Sequence, residues 1–134
     1  MPAEAGGFKL PSINVVVRVA VRSPQQPISI LGIMSSVAEI VTSLNEDPGG
    51  KLDGLKSGSF DDVYAGIGPA PHACVRLTRA EAATVIEGVG TYMRQEILFR
   101  PVVFKVHRRG VGPLAGGKIV KVGNEAEGGI EVFK

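Results

Sequence analysis

Hydrophobic residues alternate from residue 13 onward: Ile13, Val15, Val17, Val19 and Val21 fall on one side of an extended chain, and Asn14, Val16, Arg18, Ala20 and Arg22 on the other. A period of two with one wholly apolar face predicts a half-buried strand. Pro24 and Pro27 end it, and Pro27 suits the first position of a helix, where no backbone N–H is needed. The spacing then changes to three and four. Ile30, Ile33, Met34, Val37, Ile40, Val41 and Leu44 make one stripe, against Ser35, Ser36, Glu39, Thr42 and Ser43. This predicts an amphipathic helix, closed by the Asn, Asp, Pro and paired Gly of residues 45–50.

Residues 1–11 are small, contain glycine and show no period, so they read as an arm. Residues 48–71 are rich in glycine, lack a sustained period and read as a long loop; a connection of that length in a compact domain is usually functional or ordered by a neighbour. A short strand is expected near residues 72–77. Thr78 and Glu81 then form a T-x-x-E capping box at a helix start, with Ala82, Val85, Ile86, Val89 and Met93 as its buried stripe. Gly88 and Gly90 lie inside that helix, each weaker than alanine by about 1 kcal/mol, which predicts a bend or close packing. Pro101 opens a second alternating strand, with Val102, Phe104 and Val106 on one face and Val103, Lys105 and His107 on the other. Residues 118–122 and 130–133 read as a closing hairpin around a glycine-rich turn. The expected architecture is a single α+β domain over residues 1–134: an antiparallel or mixed β-sheet flanked by two helices, with a long Gly-rich loop and an N-terminal arm.

Composition narrows the chemistry. The chain has 134 residues and a mass of 14.0 kDa, one ordinary domain. A single cysteine excludes a disulfide scaffold and an all-cysteine metal site. The longest apolar stretches, 13–21 and 28–41, are broken by Arg18 and Glu39 and fall short of the roughly 20 residues of a membrane span. The first twenty residues lack the pattern of a secretory leader. A virion or cytoplasmic setting is therefore expected, without membrane contact.

Net charge is +2, but residues 1–67 carry a net −2 and residues 68–134 a net +4. Arg100, Lys105, His107, Arg108 and Arg109 form the concentrated basic cluster. It lacks the interleaved aromatics of a typical nucleic-acid site, so a solvated strand end is the preferred reading and a nucleic-acid-binding or regulatory module on the basic 100–121 surface the alternative. A dipolar subunit could also meet its neighbour acidic side to basic side, in a ring or filament.

Residues 112–118 satisfy G-x-x-x-x-G-K, but Ile119 stands where a phosphate loop needs Ser or Thr for magnesium, and strand-forming residues follow where a helix should. A glycine-rich hairpin loop is the better reading. His72 and Cys74 share one side of an extended segment, which could give a thiol with its base or, with Asp62, line a pocket; a packed thiol is preferred. The adjacent Asp61 and Asp62 suit turn or cap duty. No catalytic residue, metal ligand, cofactor or small-molecule substrate is assigned, and an enzyme is not expected.

What remains is a mean hydropathy of +0.19 with few aromatics, and helices with small positions open to close approach. Apolar surface of that kind usually has a partner. The expectation is a structural subunit of a symmetric assembly, of phage tail, neck or baseplate type, contacting copies of itself and neighbouring structural proteins. Its expected interface residues are Phe8 and Leu10 in the arm, Leu52, Leu55 and Phe60 in the loop, and Arg108 with Arg109, which would pair with Asp61 and Asp62 of a neighbour.

Overall fold

The computed structural model describes residues 5–22 and 27–122. Six strands form one antiparallel sheet: β1 (Ala5–Leu10), β2 (Val15–Val21), β3 (Lys56–Phe60), β4 (Val63–Pro69), β5 (Val102–Arg108) and β6 (Gly112–Lys121). Their spatial order is β1-β2-β5-β6-β4-β3. Helix α1 (Ile30–Leu44) lies on the β3–β4 side, α2 (Arg79–Gln95) on the β1–β2 side, and the two pack against each other. The α+β architecture follows from these layers.

The alternation read from residue 13 onward holds. Val15, Val17, Val19 and Val21 are buried, and their register against β5 sets Val17 opposite Val106, Val19 opposite Phe104 and Val21 opposite Val102. These join Ile33, Val37, Ile40 and Leu44 of α1 and Ala82, Val85, Ile86, Val89 and Met93 of α2 in one core. Gly88 and Gly90 are sites of close packing: a Cβ on Gly88 would press on the Phe8 ring, and one on Gly90 would touch Val37.

Several segments differ from the sequence reading. Residues 5–10, read as part of an arm, form edge strand β1, paired along β2 from Ala5–Ala20 to Leu10–Val15. The alternation there is hidden because Gly6 holds an inward position; Phe8 and Leu10 supply the packing. The segment 48–71 contains the β3–β4 hairpin, whose inward positions Val63, Ala65 and Ile67 are buried. Its small residues and glycines mask the period of two. No strand forms at 72–77, because His72 adopts φ 61° and breaks the extended run. The glycine-rich 112–117 stretch is not a hairpin loop. Gly116 and Gly117 sit within β6, which pairs with both β5 and β4; the expected partner at 130–133 lies outside the described residues.

Both helices start on capped ends. Helix α1 begins at Ile30, later than Pro27 implies, because Ser29 is its cap and accepts from the Gly32 N–H. Helix α2 has the expected capping box: Thr78 Oγ1 accepts from Glu81 N at 3.1 Å, and Glu81 Oε1 accepts from Thr78 N at 2.8 Å. Thr78→Ala is expected to cost about 1 kcal/mol, read as a lower urea midpoint with an unchanged slope.

The last strand, β3, has one backbone donor occupied by a helix side chain: Ser59 N–H donates to Glu39 Oε1 of α1 at 3.1 Å.

Candidate subunit interface

Strand β6 runs the length of the sheet. At its start lies the β5–β6 turn with Arg108 and Arg109; at its finish lies the β3–β4 turn with Asp61 and Asp62. Its ten residues span about 30 Å, so the arginines and the aspartates of one subunit sit at opposite ends. An ion pair between the two sets would have to form between two copies, head to tail.

Half of that set is already engaged inside the subunit. Asp62 Oδ1 accepts from Ser29 Oγ at 3.0 Å, holding the cap of α1. Arg108 donates from Nη2 to Ile13 O at 2.9 Å and from Nε to Asn14 O at 3.3 Å, and lies 3.6 Å from the Glu81 carboxylate. Asp61, in the left-handed turn position at φ 58°, and Arg109 are exposed.

The apolar candidates divide as well. Phe8 and Leu10 turn inward, Phe8 stacking on Tyr92 at 5.3 Å between ring centroids. Leu52 is completely buried and donates its N–H to Leu77 O, so it anchors the segment to its own core and offers nothing to a neighbour. Leu55 and Phe60 are exposed. Cys74 is exposed too, against the expectation of a packed thiol.

Sequence reasoning missed the strongest feature. Ile30, Leu31, Met34, Phe60, Ile97 and Val122 are all exposed large hydrophobics. Hydrogen bonds tie the elements that carry them into one end of the sheet. Ser29 binds Asp62, Val122 N–H donates to Asp62 O, and Ile28 N–H donates to Phe99 O. Arg94 of α2 reaches Met34 Sδ at 3.5 Å. Ile30 and Met34 belong to the stripe whose spacing predicts burial, but the helix turns its Gly32 and Ser36 toward the sheet instead; small residues allow that closer approach. Leu31, on the polar side of the periodic pattern, was the legible signal.

Ile97 is the most exposed of the group, at 72%. Helix α2 ends in a Schellman motif, in which Leu98 N–H donates to Met93 O and Ile97 N–H to Arg94 O. The position of Ile97 requires the left-handed backbone, and its φ is 54°. Glycine is the usual residue there, and a β-branched side chain is strained.

The sheet face away from the helices is open over β1, β2 and β5. Lys9 and Arg18 are exposed there and Lys105 and His107 half-buried. Over β6 and β4 that face is covered, with Leu55 lying on Gly66 and Gly68 and the Lys118 ammonium 5.9 Å from the Tyr64 ring centre. No strand carries an aspartate or glutamate among the described residues. Burial, then Arg18 and Lys105, hold the His107 pKa below its ordinary 6.5. The folded state thus binds this proton less readily than the unfolded state. Its contribution is full above pH 6.5 and lost as pH falls from there toward the lowered folded value. The urea midpoint is expected to drop over that interval less steeply in His107→Gln than in the parent chain.

Among the described residues no group of three or more His, Cys, Asp and Glu could hold a metal ion, and no helix is long and apolar enough to cross a membrane. The chain matches no family model, no curated protein and no solved structure.

Proposed function

We propose that this chain is a structural subunit of a symmetric assembly, a phage virion component of tail, neck or baseplate type, acting through contacts with copies of itself and with neighbouring structural proteins. The observation that carries this reading is Ile97. A strained β-branched residue stands where glycine would be unstrained, and its side chain projects into solvent. Strain of this kind persists where the side chain has work to do. Five other exposed large hydrophobics, Ile30, Leu31, Met34, Phe60 and Val122, lie at the same end of the sheet, which favours burial against a partner surface. Opposite charges at the two ends, Asp61 at one and Arg109 at the other, favour head-to-tail contact, the interface type that closes rings or extends filaments.

Light scattering on the purified chain across a concentration series, at low and high salt, tests this reading. A discrete multiple of 14.0 kDa, or growth with concentration, is the expected result. A 14.0 kDa monomer throughout overturns self-assembly.

A further inference from the structure

We infer that the outer face of the helix layer is a two-fold contact between copies of this chain, in which α2 lies antiparallel to its counterpart and Glu87 pairs with Arg94 of the second copy. The inference rests on the reading that copies of this chain meet one another, and adds a contact on the helices to the one proposed at the end of the sheet.

The first observation is how little charge this face carries. Helix α1 has one charged residue in fifteen, Glu39, and its carboxylate is turned to β3, where it accepts from Ser59 N–H. The exposed positions Leu31, Met34, Ala38 and Thr42 are uncharged, whereas the water side of a surface helix is ordinarily charged and polar. On α2 the stretch 84–95 holds two charges, Glu87 and Arg94, both exposed. Between them the helices leave an open groove, lined by Met34, Ala38 and Val41 on one side and by Glu87, Thr91 and Arg94 on the other.

The second is the placing of the two charges. Seven residues apart, they fall on the same side of α2 and about 10 Å apart along its axis, and neither forms an ion pair among the described residues. A copy laid parallel sets Glu87 against Glu87. A copy laid antiparallel satisfies both charges at once, Glu87 with Arg94 and Arg94 with Glu87, which is the reciprocity of an isologous interface. The charges thus choose the orientation and put the two-fold axis midway between them, beside Gly90 and Thr91.

The third is that the apolar residues then match. Gly90 stands beside Val37, and Arg94 reaches Met34, so α1 runs antiparallel to α2 and the same axis passes it at Val37 and Ala38. Across that axis the exposed Met34 meets Val41 of the second copy, and Ala38 meets Val37. The match follows from an axis placed by the charges alone.

Analytical ultracentrifugation and thiol cross-linking of the full chain test this contact. In a Cys74→Ser background, which removes the single native thiol, Thr91→Cys is expected to give a species of twice the chain mass on a non-reducing gel after oxidation with copper–phenanthroline. Residues beside a two-fold axis meet their own copies within disulfide reach. Thr84→Cys, whose copies stand about 20 Å apart along the helices, is expected to give none. Glu87→Arg and Arg94→Glu are each expected to weaken dimerisation about tenfold by setting like charges together. Mixing the two variant chains restores it, because arginine then faces glutamate at both contacts. Circular dichroism verifies that each variant is folded. The inference fails if Thr91→Cys does not cross-link, or if the mixed chains associate no better than either alone. A parent chain that associates while both of these tests fail overturns this contact and leaves the assembly reading standing; a parent chain that stays monomeric overturns both.

Discussion

Phe104→Ala is expected to lower the stability of the subunit by about 3 to 5 kcal/mol, a large share of the 5 to 15 kcal/mol typical of a whole domain. Phe104 is the largest of the fully buried side chains among the described residues. It projects from β5 opposite Val19, and across the other ladder it faces Gly117 of β6. Truncation leaves a cavity in the middle of the sheet that rigid strands cannot close. Urea unfolding followed by circular dichroism checks this, and a loss below about 1 kcal/mol would mean the ring is not packed as described. The complementary change, Gly117→Ala, is expected to be as damaging. A Cβ at that position would run into the Gly66 carbonyl and the edge of the Phe104 ring. The carbonyl belongs to the sheet backbone and cannot move aside, so overpacking here opposes the β4–β6 ladder itself.

Ile97→Gly should move stability and association in opposite directions. Removing a β-branched side chain from the left-handed position relieves about 1 kcal/mol of strain in the isolated subunit, and little buried surface is lost because the residue is so exposed. If the assembly uses this end of the sheet, the same substitution weakens it, and Leu31→Asp/Ile97→Asp abolishes it by placing carboxylates in the contact. Thermal unfolding of the dissociated chain and light scattering read the two effects separately. A more stable Ile97→Gly chain that assembles like the parent would remove Ile97 from the interface. A fall in stability would mean that the Schellman geometry is not under strain.

Much of the fold was legible because strong periodicity survives tertiary context. The alternating valines of β2, the α1 stripe and the T-x-x-E box each appear where their spacing places them. The elements that escaped were built from glycine and alanine. β1, β4 and the start of β6 have inward positions such as Gly6, Ala65 and Gly117, where close backbone approach replaces side-chain bulk and a hydropathy pattern has nothing to register. The candidate interface was harder still. Phe60 and Leu55 could be named from their surroundings, but Ile97 gains its meaning from a backbone angle, and the placing of Ile30, Phe60 and Val122 at one end of the sheet depends on hydrogen bonds between elements far apart in sequence. Charge was legible as an imbalance between halves of the chain. Its division between strands and the rest of the molecule required the sheet.

The hydrogen bond from Ser59 to Glu39 bears on what the β3 edge of the sheet can accept. An uncovered edge strand is a template that accepts any extended chain, its own copies and unfolded ones alike. With a carboxylate lodged on the margin of β3, an arriving strand must first displace it and then leave a negative charge beside its own carbonyls. Growth by joining sheets edge to edge is thereby handicapped on that flank, and contacts through shaped side-chain surfaces gain the advantage. One glutamate on a helix thus guards that flank against fibrous stacking.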